Sequence, residues 1–381
     1  MRKVAVIGVG LHRYGKWDGI SSHELAHTAI NRALESAGIE WSQVQSGWCG
    51  HTGQGPTAGA RLFYKLGRTG LSITNVENAS ASGSYAFRGA YSDVGSGEFD
   101  IALALGIDKR NSPFSTIKLT NGKKNSATKD NNKIKKAKKG SPIIKHFAQV
   151  TSAHMRKFGT TIDQLAMVSV KNHHNGALNP YAHFQEEITI EDVHNAQMIS
   201  KPLTTLHCCP TGDGAAAAIL ASENVVKRMG ITNPVWVSAS VSMSETNLSF
   251  NSNEITAVAA SEAYKRAGIE PTDLGLVELH DAFTIEEIYV AEQLGLCPEG
   301  EGGKLVEEGA TAINGRIPIN TSGGLLAMGH PLGPTGIGQI AEIYWQMKGE
   351  AGKRQIPVPP KHALAQMVGL GGTCIIHIFS R

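Results

Sequence analysis

The stretch ALESAGIEWSQVQSGWCG, residues 33–50, recurs in altered form as EAYKRAGIEPTDLGLVELH, residues 262–280. The tetrapeptide AGIE is identical in both copies, at an offset of 230 positions. Each copy closes a predicted amphipathic helix and leads into a predicted strand. Gly38 and Gly268 are the glycines expected just past the ends of those helices. The repeat therefore predicts a chain built from two similar halves.

Further strand and elbow signals occur in both halves. Apolar runs typical of β-strands are VAVIGVG and IALALGI in the first half, and VWVSASV and TCIIHIF in the second. Each half also has a Gly/Ser-rich elbow before a predicted helix, ENASASGS at 77–84 and INTSGGLLAMGHPLGPTG at 319–336. Alternating strands and helices favour an α/β fold with parallel-rich sheets covered by helices. We expect the two halves to pack together with their elbows facing one site.

A segment rich in Lys, Asn and His, at about residues 109–194, interrupts the repeat and is interpreted as an inserted loop domain. Its second part predicts a helix with Leu165, Val168 and Val170 among its apolar positions. We accordingly divide the chain into an N-terminal half, residues 1–235, which includes the loop domain, and a C-terminal half, residues 236–381.

The composition excludes several classes of protein. With 381 residues, 41% hydrophobic content and 43 glycines, the chain is typical of a well-packed α/β protein. The first apolar run is short and leads into a polar turn, so we expect neither a signal peptide nor a membrane span, and a cytoplasmic location. The five cysteines include no CxxC pair and the histidines lack ligand spacing, so we expect neither disulfides nor a metal site.

The positive charge of the chain is local. Ten lysines and a single acid, Asp130, lie between residues 118 and 145, and the rest of the chain has 26 basic and 32 acidic residues. Such a run is usually a solvated loop. The alternative, functional interpretation is a positively charged surface that binds a polyanion. Nucleic acid is not favoured, because no aromatic residues interleave with the lysines. A phosphorylated cofactor fits better, and its candidate ligands are Lys135, Lys136, Lys138 and Lys139.

Several motifs together resemble the thiolase superfamily. They are ENASASGS (77–84), CCPTGDGAAAAILAS (208–222), HDAF (280–283), GGLLAMGHPLGPTG (323–336) and the glycine-rich end VGLGGTCIIHIF (368–379). The stretch KNHHNGALNPYAHFQ, followed by CCPTGDGAAAA, is similar to the branch that contains sterol-carrier-protein-2-type and archaeal-type thiolases. The resemblance covers nearly the whole chain, and the order and spacing of the motifs make it specific.

This resemblance implies a thiolase-like fold of two pseudo-symmetric α/β halves, layered αβαβα with a five-stranded sheet in each, plus the loop domain. It also implies a tight homodimer and coenzyme A as a substrate with no tightly bound cofactor. Archaeal-type members often work with a small zinc-ribbon/OB-fold partner subunit, so the resemblance extends to such a partner as well. The implied activity is thiolase-type acyl transfer that cleaves or forms a C–C bond in a 3-oxoacyl-CoA, as in lipid or aromatic degradation. The acyl group stays open among short-chain, branched or dicarboxylic, and aromatic groups such as that of benzoylsuccinyl-CoA.

The resemblance also assigns roles to residues. Ser80 takes the position of the nucleophile, and His330 matches the histidine that activates the nucleophile and polarises the thioester oxygen. His280 matches a contributor to the other side of that oxyanion site, and Gly369 matches a glycine whose N–H stabilises the second oxyanion. The alternative interpretations are structural: satisfied histidines at 280 and 330, and a turn glycine at 369.

Other residues are expected to be structural. We expect Asp213 to order a loop before an Ala-rich helix. Cys208, Cys209 and Cys374 lie in apolar stretches and are expected to be inert buried thiols.

The proton donor also departs from the family pattern. Many thiolases have a second cysteine for proton transfer, and this chain has Met367 and Ala282 at the two places where it occurs. Our hypothesis is therefore that histidine alone carries the proton that the second cysteine transfers in those thiolases.

Serine at position 80 is the main departure, because this chemistry prefers cysteine. A cysteine thiol has a pKa near ~8.5, which a helix N-terminus and a histidine can bring below about 7. A serine hydroxyl is far less acidic, and the roughly 0.3–1 kcal/mol from a helix terminus cannot ionise it. Ser80 therefore needs a general base that acts in the transition state.

Several interpretations of Ser80 stay open. The chain is a Cys-to-Ser variant of a thiolase, or Ser80 is native and the reaction is a retro-aldol cleavage of a β-hydroxyacyl-CoA without a covalent intermediate. Alternatively the chain is a non-catalytic subunit that binds a CoA ester or acts as a scaffold, or it is a genuine serine acyltransferase.

Overall fold

The computed structural model describes residues 1–110, 141–245, 252–370 and 372–381. The strands of this part are β1 (Val4–Gly15), β2 (Ser46–His51), β3 (Ser72–Val76), β4 (Ile101–Asp108), β5 (Met198–Ser200), β6 (Leu203–Thr204), β7 (Asp213–Ser222), β8 (Val235–Ser244), β9 (Leu276–Glu278), β10 (His362–Gly369) and β11 (Thr373–Ser380). Its α-helices are α1 (Ser22–Ala37), α2 (Ala58–Phe63), α3 (Ser82–Ser96), α4 (Pro142–Phe158), α5 (Ile162–Ala177), α6 (Ile190–Asn195), α7 (Glu223–Arg228), α8 (Ser252–Ala267), α9 (Thr284–Gln293), α10 (Gly302–Glu307), α11 (Gly324–Ala327) and α12 (Leu332–Lys348).

The main sheet of the described part has the strand order β3-β2-β4-β7-β1-β8-β11-β10-β9. In the first half, β7 is antiparallel to its neighbours β1 and β4, and β2 is parallel to its neighbours β4 and β3. The second half repeats this pattern, since β11 is antiparallel to its neighbours β8 and β10, and β10 is parallel to β9. The halves join where Ala5 and Val6 of β1 pair with Trp236 and Val235 of β8. The repeat predicted from the sequence is thus a topological repeat.

The AGIE repeat has the same local structure in both halves. Gly38 and Gly268 follow α1 and α8 directly, and both have a left-handed backbone with φ 66°. Each is followed by a short 3₁₀ turn, at Trp41–Gln43 and at Pro271–Asp273, before the chain enters β2 or β9. A positive φ favours glycine because it has no Cβ, so the glycines end both helices as the sequence predicted.

The second half differs at its fifth strand position. The counterpart of β3 is a single parallel bridge between Val277 of β9 and Ile319, where the resemblance implied a full strand. Pro318 precedes the bridge and has no N–H to donate to a ladder. Asn320 follows it with a φ of 56°, which turns the chain out of the extended conformation.

The helices form layers on both sides of the sheet. The central helices α3 and α12 pack in one core with one face of β1, β4 and β7 and with β9, β10 and β11. Val6 points into this core, whereas its neighbours Ala5 and Ile7 point into a second core under α1. A third core lies between α8 and the second half. This alternation gives the αβαβα layering of the predicted fold class.

The alanine-rich run AAAAILAS is a strand, so the predicted helix after Asp213 is wrong. Alanine is the best helix former in isolation, but β7 is paired on both sides, with β1 and β4. Ala216 and Ala218 face the central helices while Ala215 and Ala217 face α1, so small side chains let helices approach from both sides. Tertiary pairing overrides the helix propensity here.

The expected loop-ordering role of Asp213 is seen in its contacts. Its carboxylate accepts hydrogen bonds from the backbone N–H of Trp17 at 3.1 Å and of Arg110 at 2.7 Å, and it pairs with Lys109 at 2.6 Å. One buried carboxylate thereby ties the ends of β1 and β4 to the start of β7.

The inserted segment contributes α4, α5 and α6. The helix predicted over its second part is α5, with Leu165 and Val168 buried and Val170 half-buried. The candidate ligands Lys135, Lys136, Lys138 and Lys139 lie outside the described residues. The domain boundaries given above stay predictions. Within the described ranges, no helix is both long and apolar enough to cross a bilayer.

Candidate active site

Ser80 lies in the elbow between β3 and α3. Ala79 has a φ of 49°, which L-residues rarely adopt, and its N–H donates to the Glu77 carboxylate at 2.8 Å. The hydroxyl of Ser82 accepts from the N–H of Asn78 at 2.9 Å and donates to the carbonyl of Ala79 at 2.7 Å. The side chains of the elbow thus hold its sharp turn, and half-buried Ser80 is presented two residues before α3 begins.

His330 lies directly against Ser80. Its Nε2 is 2.9 Å from Ser80 Oγ, and its Nδ1 is 3.0 Å from Thr335 Oγ1. The Thr335 hydroxyl donates its one proton to the carbonyl of Pro331, so its oxygen accepts from Nδ1–H. The network therefore assigns the proton of neutral His330 to Nδ1 and leaves the Nε2 lone pair to accept from Ser80.

The surroundings of His330 keep its imidazole neutral. The side chain is 6% exposed, and this burial lowers its pKa well below the ordinary value of 6.5. Repulsion from a positive charge on His280 lowers it further. His330 is thus unprotonated at neutral pH and can accept a proton, although it is a weak base.

His280 faces His330 across the site. The ring centroids are 5.3 Å apart and the rings are nearly perpendicular, at 84°. Nδ1 of His280 is 3.0 Å from Oε1 of Glu286, whose other oxygen accepts from the N–H of Phe283 at 2.9 Å. Nε2 of His280 is buried and has no hydrogen-bond partner among the described residues. Glu286 thus holds the imidazole of His280 through Nδ1, which leaves Nε2 free to bind a ligand.

Gly369 ends β10 beside the serine elbow. A Cβ built at this position would lie 2.5 Å from the carbonyl oxygen of Asn78 and 3.3 Å from Cβ of Ala81. A side chain at 369 would therefore push the strand end away from Ser80. The structure brings Ser80, His280, His330 and Gly369 into one region, as the sequence predicted, whereas their roles remain predictions.

Both elbows present a helix N-terminus to this region. Ser80 precedes α3 by two residues, and His330 precedes α12 by two residues. A helix N-terminus carries a partial positive charge and unpaired N–H groups, which favour an anion. The arrangement can therefore stabilise negative charge that develops near Ser80 during attack on a carbonyl carbon.

The thiols near the site are not activated. The N–H of Cys209 donates to the carbonyl of Ala282 at 2.9 Å, and Pro210 accepts from the N–H of His330 at 3.1 Å. Burial raises the pKa of Cys208 to about 12, and it also raises that of Cys209 well above its ordinary value. Both stay protonated at neutral pH, in keeping with the inert role expected of them.

The thiol at Cys374 and the two places of the missing second cysteine are buried. Burial raises the pKa of Cys374 to about 12. Met367 is buried against Ala81, and Ala282 is buried in the core under the inserted helices. No thiol replaces the absent cysteine at either position.

Sequence reasoning missed Thr335 and Glu286, the residues that hold the two imidazoles. They lie five and six residues after their histidines, on α12 and α9. Such spacings have no meaning as a motif until a turn and a helix start place them beside the ring. The only sequence signal is the proximity of a Thr and a Glu to the motifs GHP and HDAF.

A cleft of about 340 Å³ opens beside His330, and Asp108, Lys109, Arg110 and Thr211 are among its lining residues. A larger cleft of about 620 Å³ lies between α8 and α9, away from both histidines. His330 thus lies at the smaller of these two clefts. Within the described ranges, no group of three or more His, Cys, Asp or Glu residues is arranged to hold a metal ion.

Comparisons with known proteins agree along the whole chain. Residues 4–224 match the family model "Thiolase, N-terminal domain", and residues 238–381 match "Thiolase C-terminal domain-like". The chain is 40% identical to an acetyl-CoA acetyltransferase of Methanothermobacter thermautotrophicus, over 100% of both chains. It is 37% identical to human sterol carrier protein 2, over 100% of this chain and 72% of that protein. It is also 34% identical to the benzoylsuccinyl-CoA thiolase subunit BbsB of Thauera aromatica, over 97% and 95%.

Solved structures share the fold. The Ltp2-ChsH2(DUF35) aldolase superposes with a TM-score of 0.80 at 22% identity, covering 98% of this chain and 97% of that one. Human mitochondrial 3-ketoacyl-CoA thiolase in complex with CoA superposes with a TM-score of 0.72 at 19% identity, covering 100% and 98%. At these identities the likeness concerns the fold alone.

Proposed function

Because this chain belongs to the thiolase family, we propose that it is a thiolase-type acyltransferase that cleaves or forms a C–C bond in a 3-oxoacyl-CoA. The observation that carries the proposal is the 2.9 Å contact between Ser80 Oγ and Nε2 of neutral His330. A nucleophile paired with a base, whose orientation a third group holds, is the arrangement that acyl transfer requires.

The cleavage reaction begins at the serine. Ser80 Oγ attacks the 3-oxo carbon while its proton passes to Nε2 of His330, and the negative charge develops near two helix N-termini. The C2–C3 bond then breaks, which leaves an ester on Ser80 and releases acetyl-CoA after protonation of C2. The thiol of CoA attacks the ester, and His330 returns its proton to Ser80.

The retro-aldol and scaffold alternatives are less well supported. Neither of them requires a hydroxyl that donates to a neutral, oriented histidine, which is what Ser80 does. Serine is nevertheless a slow shuttle, because return of an acyl group from an oxygen ester to a thioester runs uphill. We therefore expect low turnover from this chain and faster turnover with cysteine at position 80.

The names of relatives support the substrate class. Acetyl-CoA acetyltransferase and benzoylsuccinyl-CoA thiolase are both names of proteins that act on CoA thioesters, and both match nearly this whole chain. Because the acetyltransferase has the higher identity of the two, acetoacetyl-CoA is the first substrate to test.

The assembly is also part of the proposal. We expect a homodimer with twice the 40.5 kDa mass of the chain, measured by light scattering on the purified protein. The names "Ltp2-ChsH2(DUF35)" and "subunit BbsB" refer to proteins that work with a partner, and they support a search for a partner subunit.

Mass spectrometry of the intact protein tests the proposed function. After incubation with acetoacetyl-CoA without free CoA, we expect an added acetyl group that peptide mapping places on Ser80. The Ser80→Ala variant is the control and should gain no mass. An unmodified Ser80, together with equal thiolysis by the two proteins, would exclude the proposed role of this residue.

A further inference from the structure

We infer that Glu286 is a positioning residue that makes His280 the carrier of the proton exchanged with C2 of the substrate. The inference rests on the proposed function and assigns the step for which the chain has no second cysteine. Oε1 of Glu286 is 3.0 Å from Nδ1 of His280. Both side chains are buried, with 7% of His280 and 1% of Glu286 exposed.

The hydrogen bonds around Glu286 determine which nitrogen of His280 is free. The carboxylate accepts from the N–H of Phe283 at 2.9 Å and is 3.5 Å from the Tyr289 hydroxyl. Burial raises the pKa of Tyr289 well above its ordinary value, so this hydroxyl keeps its proton and donates. Since the Glu286 oxygens act as acceptors in these bonds, Nδ1 of His280 donates to Oε1, and Nε2 faces the site.

Nε2 of His280 lacks a partner in the part of the chain that the structure describes. A buried polar atom without a hydrogen bond is unfavourable, so such atoms are usually explained by a ligand or water that completes them. Its neighbour across the site is His330, the base for Ser80. A substrate held by Ser80 would therefore lie within reach of both imidazoles.

The two imidazoles differ in what lies behind them. Behind His330 is a neutral hydroxyl, that of Thr335, whereas behind His280 is the carboxylate of Glu286. A carboxylate stabilises the positively charged form of an imidazole, and a hydroxyl does so much less. Glu286 is thus placed to balance positive charge while His280 carries a proton in transit, whereas His330 is neutral before attack.

The proton balance of cleavage follows from this division. Protonated His280 donates from Nε2 to C2 as the C2–C3 bond breaks, and neutral His280 then takes the proton of the CoA thiol that attacks the Ser80 ester. His330 takes and returns the proton of Ser80. One 3-oxoacyl-CoA and one CoA thereby give one acetyl-CoA and one shortened acyl-CoA, with both histidines restored.

Hydrogen exchange at C2 isolates this step from Ser80 chemistry. We would incubate acetyl-CoA in D₂O with a Ser80→Ala protein and follow deuterium entry into the acetyl methyl group by NMR. Addition of Glu286→Gln should slow the exchange at least about tenfold, because general acid–base catalysis typically contributes more than this. Glu286→Asp should restore a large part of the rate.

Glu292→Gln is the matched control. Glu292 lies on the same helix, α9, and also bonds to a histidine, since its carboxylate is 3.3 Å from Nε2 of His154 outside the site. This variant should exchange at the rate of the Ser80→Ala parent. Melting temperatures of all variants would separate a local effect from a loss of fold.

A second readout separates a positioning role from a general one. Binding of acetyl-CoA to the Ser80→Ala protein, measured by titration calorimetry, requires no proton transfer. Glu286→Gln should therefore leave this affinity within about threefold of the parent, while the exchange rate falls at least about tenfold.

Three results would overturn the inference. They are exchange within twofold of the parent in Glu286→Gln, an equal loss in Glu292→Gln, and no exchange in the Ser80→Ala parent. The proposed function would be judged separately, by whether Ser80 becomes acetylated.

Discussion

Ser80 and His330 hold equivalent places in the two halves, and their side chains meet at 2.9 Å although 250 residues separate them. Each lies two residues before a central helix, Ser80 before α3 and His330 before α12. The two helices pack closely where Gly83 faces the carbonyl of Gly333. The internal repeat of the fold thus brings two equivalent helix N-termini together and places Ser80 against His330.

Ser80→Cys should raise the rate of CoA-dependent cleavage of acetoacetyl-CoA at least about tenfold, because a thiol beside a helix N-terminus and a histidine ionises readily. The rate is measured from the loss of acetoacetyl-CoA absorbance. Ser80→Ala provides the baseline. A cysteine variant no faster than the unaltered protein would argue against a covalent acyl intermediate at this position.

Thr335→Val should lower kcat about tenfold with little change in KM. Valine keeps the shape of threonine but removes the oxygen that accepts from Nδ1 of His330, so Nε2 no longer reliably carries the lone pair. Thr335→Ser keeps the oxygen and should retain most of the activity. Steady-state kinetics of both variants check this, and equal losses in the two would contradict the assigned tautomer.

Gly83→Ala should destabilise the protein by about 1–3 kcal/mol, the usual cost of overpacking a core. The added methyl would clash with the carbonyl of Gly333, which is backbone and cannot rotate away. Because α3 would move from α12, activity should fall as well. Ser92→Ala, on the exposed face of the same helix, is the control in urea unfolding. Equal stability of the two variants would show that the helix contact is looser than described.

Glu278→Gln should flatten the dependence of stability on pH. Thr321 Oγ1 has one proton but lies 3.2 Å from a carboxyl oxygen of Glu278 and 3.0 Å from one of Glu342. One carboxyl must therefore donate. Burial, and next the charge of Glu342, raise the pKa of Glu278 from 4.5 to about 8, so Glu278 is the protonated one.

The sign of the effect follows from this raised pKa. The contribution of Glu278 to stability is fully present below pH 4.5, and it is lost as pH rises through about 8. Urea unfolding at pH 5 and pH 8.5 should show a loss on the order of a few kcal/mol in the unaltered protein and a smaller loss in Glu278→Gln. Glu35→Gln, on the exposed face of α1, serves as control, and parallel pH profiles of the unaltered protein and Glu278→Gln would contradict the prediction.

Local patterns were sufficient for much of the fold. Ala26, Ile30 and Ala33 share the buried face of α1, and the apolar runs at β1, β4, β8 and β11 are strands. The alanine run of β7 was interpreted wrongly, because alanine has no side chain that distinguishes a helix from a strand buried on both faces. The sequence around Ile319 did not predict that pairing there is reduced to a single bridge, which happens because the turn at Asn320 ends the strand.

The sequence alone determined the two halves, the glycine-ended helices and the two elbows that carry Ser80 and His330, because hydrophobic periodicity and turn chemistry act between near neighbours. Only the tertiary structure decided which atoms meet. The 2.9 Å contact of Ser80 with His330 and the 3.0 Å contact of His280 with Glu286 depend on how helices pack across the sheet. The burial that lowers the pKa of His330 likewise depends on the whole core and on no local pattern.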